Sequence, residues 1–162
     1  MQTKSWRESY IILDGHGRFR FMSGNRISFK LRNSLSELDR LCQGLEEFSE
    51  SLGLAHKTTF EICIAMEELV SNIISYGYLD DSVHWIKISI SHENGTLTIR
   101  IEDDGRPFNP LKAEEPDCEC PLEERKVGNL GIHLTKKYVD DMIYERRGDN
   151  NILILKKRLE KT

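Results

Sequence analysis

The chain has 162 residues, 38% hydrophobic and 31% charged, a profile that fits one globular domain with room for a core. Its formal net charge of −4 argues against nucleic-acid binding, which draws on a basic face. No apolar run approaches the ~20 residues of a membrane span and the start lacks the apolar stretch of a signal peptide, so a cytoplasmic setting is expected.

Residues 1–25 admit two readings. Tyr10–Leu13 and Phe19–Met22, around Asp14-Gly15-His16-Gly17, read as an extra hairpin or as an extension outside the domain proper. The domain itself is expected over residues 26–160. From Arg26, Ile27, Phe29 and Leu31 alternate with polar residues, the pattern of a half-buried strand. Ser34 with Glu37 then offers a capping box, and Leu35, Leu38, Leu41, Leu45, Phe48 and Leu52 mark one helical face that ends at Gly53. A second capping box, Thr58 with Glu61, opens a long helix closed by Gly77. Its buried stripe is expected at Ile62, Met66, Leu69, Ile73 and Tyr76. Ile86, Ile88 and Ile90, an Asn94-Gly95 turn, and Leu97, Ile99 and Ile101 make a hairpin with one apolar face.

Between Gly105 and Gly128 the texture changes. All four prolines lie there, no periodicity persists, and a lid is expected at about residues 106–127. Its run of acids from Glu114 to Glu124 would repel a polyphosphate, whereas its basic end, Arg125 and Lys126, could clamp one. A helix from Gly128 to Val139 and a closing hairpin around Gly148-Asp149-Asn150 complete the chain. Strands and helices in this order predict an α+β, two-layer α/β sandwich, its sheet mixed and mostly antiparallel with helices on one face. Cys42 and Cys63 fall in helices and read as small buried hydrophobes. Cys118 and Cys120 lie in the loop without the ligand count of a zinc site.

Three places carry chemistry. Glu68 and Asn72 stand one above the other, about 6 Å apart along the helix, able to serve as a base and as a hard-cation ligand or simply to edge a solvated face. Asp103 ends a strand two residues before Gly105, where a carboxylate can accept from an exocyclic amine. The bland alternative is an Asp-Gly turn. Gly128-Asn129-Leu130-Gly131 opens a helix and presents free N–H groups, as an anion site or a hinge; it is not a P-loop.

These segments, in this order, resemble the GHKL superfamily of ATP-binding domains (the histidine-kinase-like ATPase fold). Glu68 to Asn72 resembles its N-box, Asp103 to Gly105 its first glycine box, and Gly128 to Gly131 its second. Residues 72–78, 104–110 and 128–134 are most similar to the small anti-sigma-factor serine kinases, a likeness that covers about residues 26–159. The resemblance implies an ATP- and magnesium-dependent serine/threonine protein kinase. Glu68 would be the base toward a serine hydroxyl, Asn72 the magnesium ligand and Asp103 the reader of adenine. Gly105 would make room for the base, and Lys126, Gly128, Asn129, Leu130 and Gly131 would hold the phosphates. Partners would be a sigma factor and an antagonist protein, with a homodimer suggested by analogy. Two other readings remain: a nucleotide-gated binding regulator without kinase turnover, and the catalytic module of a histidine kinase, against which His133 is expected in the nucleotide site. Pro107, Asn129 and Tyr76 depart from the family's pattern.

Overall fold

The computed structural model describes residues 10–13, 19–112 and 129–159. Lys126, Gly128, Cys118, Cys120, the first glycine turn and the acidic run of the lid lie outside the described residues. Seven strands, β1 (Tyr10–Leu13), β2 (Phe19–Ser23), β3 (Arg26–Arg32), β4 (Trp85–Glu93), β5 (Thr96–Asp103), β6 (Asp141–Arg147) and β7 (Asn150–Arg158), form one sheet. Its order is β1-β2-β3-β4-β5-β7-β6, antiparallel at every pairing. The two N-terminal strands extend the sheet beyond β3.

Alternation along the strands decides which face is covered. Ile27, Phe29 and Leu31 stand in register with Ile90, Ile88 and Ile86, and these in turn with Ile99 and Ile101. All are at most 3% exposed. Helices α1 (Leu38–Ser51) and α2 (His56–Tyr76) lie on that face through Leu41, Leu45, Phe48, Ile62, Met66, Leu69 and Val70. Each such side chain contributes about 1.5–3 kcal/mol by leaving water, which makes this layer the main source of stability. The opposite face carries Ser28, Lys30, Lys87, Ser89 and Arg100, as the strand period requires.

Turn chemistry follows the sequence closely. Asn94 and Gly95 adopt φ values of 50° and 75°, the left-handed pair that a two-residue hairpin demands, and Gly148 sits at 56°. The helix caps do not follow it. Ser34 makes no side-chain cap, and Leu35–Glu37 forms a 3₁₀ turn in which Leu35 is 55% exposed. Glu37, 1% exposed, instead meets Arg40 at 2.8 Å. Helix α2 begins at His56, before the expected Thr58 cap, with Ala55 as its cap. Glu61 is drawn away to Lys157 at 2.9 Å. Lys157 also donates to the carbonyl of Tyr138, at the end of α3 (Asn129–Tyr138), and so ties β7 to two helices. Cys42 and Cys63 are half-buried rather than core.

Candidate functional site

The long helix delivers its polar pair to the end of the sheet where β5 and β7 finish. A cavity of about 460 Å³ opens there, and both Asn72 and Asp103 line it. Leu69, Ile73, Ile132 and Leu153 supply apolar wall, and Pro107, Phe108 and Pro110 form the side toward the lid. Tyr76, expected in the buried stripe, is 52% exposed because it forms part of the rim.

Asp103 is the inner residue of β5, so its carboxylate is buried, 5% exposed. Burial pushes its pKa up, with the charge of Asp104 adding to this, while hydrogen bonds from Asn151 and from the Gly105 N–H pull it back. Both donors reach Oδ1, each at 2.9 Å. Among the described residues nothing is bonded to Oδ2, which leaves that oxygen to accept from a ligand's amine. Gly105 also lets two parts of the chain close up. A Cβ there would lie 2.7 Å from Asp103 Oδ1 and 2.8 Å from the Gly77 carbonyl. The glycine therefore lets the strand end pass close against the end of α2, where the Gly77 carbonyl accepts from Arg106 N–H at 2.8 Å.

Asn151 is a site residue that the sequence reading missed. Register places it opposite Asp103. Its Nδ2 donates to Asp103 and to the Arg106 carbonyl, while its Oδ1 accepts from Tyr144 at 2.8 Å and Arg146 at 2.9 Å. Arg146 also donates to the carbonyls of Gly105 at 2.7 Å and Gly148 at 3.1 Å. The available signal was phase: Asn151 alternates with Leu153 and Leu155 on the inner face, where a polar residue needs partners.

Among the described residues, Asn72 Nδ2 is buried without a hydrogen-bond partner, as is the Tyr78 hydroxyl. An orphaned amide at a cavity wall, beside a carboxylate one turn away, suits a hydrated cation: turned over, it offers its oxygen. Glu68 is half-buried and leans on the first turns of α3. A Cβ built on Gly131 would lie 2.6 Å from Glu68 Cγ and would overlap its carboxylate. Asn129 and Leu130 form the start of that helix. Asn72 and Asp103 thus share a cavity, and Glu68 meets the head of α3 beside it. His133, expected in the site, is not among the cavity walls; its neighbour Ile132 is.

A second cluster fastens the segment after α2. Tyr78 stacks on His84 with ring centroids 4.2 Å apart, and the His84 nitrogens face Asp80 at 3.0 Å and Asp104 at 3.1 Å. Asp80 first, then Asp104, holds the His84 pKa above its ordinary 6.5. A raised histidine stabilises the fold fully below the unfolded value and ceases to do so as pH climbs through the raised one. The urea midpoint is therefore expected to fall as pH climbs from the unfolded value through the raised one, and His84→Gln to flatten that part of the profile.

A family model described as "Histidine kinase-like ATPase domain" matches residues 31–157. The serine/threonine-protein kinase BtrW of Bordetella bronchiseptica is 23% identical over 96 residues, covering 59% of this chain and 68% of that protein. An anti-sigma F factor of Clostridium novyi is 24% identical over 147 residues, 86% of this chain and 98% of that protein. A crystal structure of the RsbU and RsbW domains of Rv1364c from Mycobacterium tuberculosis matches with a TM-score of 0.62 at 16% identity. That match covers 83% of this chain, which spans about a third (32%) of the solved one, and it shows the likeness of fold.

Proposed function

We propose that this chain, which belongs to the histidine kinase-like ATPase domain family, is an ATP-dependent serine protein kinase of the anti-sigma-factor type. The observation that carries the reading is the buried Asp103, with one oxygen tied down and, among the described residues, neither its other oxygen nor Asn72 Nδ2 in the same cavity bonded. An apolar cavity with a few polar groups suits an adenine ring, and Asp103 Oδ2 would accept from its amino group. The head of α3 would take the phosphates, assisted by Lys126 and Gly128. Asn72 would hold a magnesium ion. When bound, that ion neutralises phosphate charge.

The protein's own contribution is placement and one proton. Glu68 would accept the proton of a serine hydroxyl as that oxygen bonds to the terminal phosphorus and the bond to the nucleoside diphosphate breaks. Similarity to the anti-sigma F factor and to the RsbW kinase of Oceanobacillus iheyensis, 22% identical over 102 residues, supports a sigma factor and an antagonist protein carrying the acceptor serine as partners. Residues 26–160 would form the kinase domain, with a lid at about residues 106–127.

The contact between Gly131 and Glu68 offers a direct test. An alanine at position 131 suits a helix better than glycine by about 0.5–1 kcal/mol, a gain that offsets part of the cost of pushing the Glu68 side chain aside from its Cγ outward. Gly131→Ala is expected to fold, with a melting temperature lowered by the remainder, and to transfer phosphate to the antagonist serine about a hundredfold more slowly. Full activity in that variant would remove Glu68 from the role of base.

A further inference from the structure

Ser28 and Ser89 stand opposite one another in β3 and β4, and Arg100 of β5 faces Ser89 in turn. One step along the strands, Lys30, Lys87 and Glu102 form the next such row. The six side chains share the sheet face that α1 and α2 leave bare, because Phe29, Ile88 and Ile101 take the core phase between them. The serines are short and their neighbours long. The side-chain layer therefore dips into a depression of about 370 Å³, lined by Ser28, Lys30, Lys87, Ser89 and Arg100. Phe29 and Ile88, whose side chains are in the core, give it a backbone floor.

The hydrogen-bonding capacity of this depression is unspent. Among the described residues, neither serine hydroxyl has a partner and Lys30 meets no carboxylate. The Lys30 ammonium rests 4.3 Å from the centre of the Trp85 ring, which orients it without neutralising it. Arg100 and Lys87, the latter at 3.5 Å, share one acid, Glu102. The Arg100 hydrogen bond, opposed by burial and helped by Lys87, holds the Glu102 pKa below the ordinary range. Three cations against one carboxylate leave a local charge of +2 beside two free hydroxyls, in a chain whose net charge is −4.

A ligand suited to such a place is compact, carries about two negative charges and accepts hydrogen bonds on several oxygens. A phosphate monoester has three terminal oxygens and about −1.5 to −2 charge near neutral pH. A carboxylate or a phosphodiester brings a single charge. A nucleic-acid backbone draws on cations repeated along its track, whereas Glu93 at Arg26 and Glu102 at Arg100 interrupt this face.

We propose that the bare sheet face holds a phosphate-monoester site, in which Ser28 and Ser89 donate their hydroxyl hydrogens and Lys30, Lys87 and Arg100 supply the charge. It shares no residue with the cavity of Asn72 and Asp103 and lies across the sheet from it, so it stands independently of the kinase reading. Free phosphoesters and phosphorylated side chains of proteins present the same group.

The test is nuclear magnetic resonance of the full chain. The amide signals of Ser28, Phe29, Lys30, Lys87, Ile88 and Ser89 are expected to shift saturably with glycerol 3-phosphate and with a phosphoserine tripeptide. Whichever saturates at the lower concentration names the source. Dimethyl phosphate, a diester, is expected to need at least about tenfold more. Ser28→Ala with Ser89→Ala, and separately Lys30→Gln, are each expected to weaken binding about tenfold. Glu102→Gln is expected to tighten it about threefold by releasing Arg100 and Lys87. Signals of Leu31, Ile86 and Ile99 verify the fold of each variant, and those of Leu69 and Ile132 report the other cavity separately. Shifts that never saturate, that match those given by the diester, or that keep their full size in the double serine variant would overturn the site.

Discussion

In the Asp103→Asn variant, ATP binding is expected to weaken by about ten- to a hundredfold while the fold persists, because a hydrogen bond to a charged acceptor contributes about 1.5–3 kcal/mol. The substitution is nearly isosteric. An asparagine oxygen can still accept from Asn151 and from the Gly105 N–H, each now at 2.9 Å. Its amide nitrogen then faces the cavity, and a donor replaces the acceptor that an adenine amine requires. Calorimetric titration with ATP measures the loss, and an unchanged dissociation constant would remove Asp103 from the adenine site. The same carboxylate sets a pH limit on binding. Burial raises its pKa above the usual aspartate range, so protonation begins at a higher pH than in an exposed aspartate. Affinity is expected to fall as pH drops through that raised value. The fold itself gains from the proton, since the buried charge is what costs stability there.

Glu68→Gln is expected to lower transfer of phosphate to an antagonist serine by about 10²–10⁴-fold, with ATP affinity changed by about twofold at most. Glutamine keeps the shape that rests on Gly131 and loses the ability to take a proton. Labelled ATP with the antagonist domain, read out as phosphoserine, supplies the rate, and calorimetry supplies the affinity. This pair of measurements also separates a kinase from a nucleotide-gated regulator, whose response to ATP would survive the substitution. Pro107 gives the comparison its interest, since it lines the cavity and contributes no N–H there.

What could be read from the sequence was whatever is written in short-range pattern. The alternations of β3, β4 and β5 and the stripe of α2 at Ile62, Met66 and Leu69 reappear as the core. The Asn94-Gly95 turn reappears with both residues in the left-handed region. The failures came where a distant residue outbid a local one. Glu37 and Glu61 fit capping boxes by spacing, yet Arg40 and Lys157 hold them. Tyr76 kept the helical phase of a core residue, but the helix outruns the sheet and leaves it at a rim. Of the candidate site, Glu68, Asn72 and Asp103 could be singled out because each sits in a recognisable local setting, and Asn72 and Asp103 do line one cavity. Asn151 and Arg146 could not be, since their roles exist only once β7 pairs with β5 and β6 pairs with β7.

The guanidinium of Arg146 joins the outermost hairpin to the Asp103 corner of the cavity. It spans the Gly148 turn, Asn151 and the Gly105 carbonyl, and β6, its own strand, is the last in the sheet. The sheet's border and the floor beneath Asp103 are therefore one mechanical piece. A strand from another molecule laid along that border would pull on the setting of Asp103 without entering the cavity, and any ligand held tightly there would stiffen the border in return.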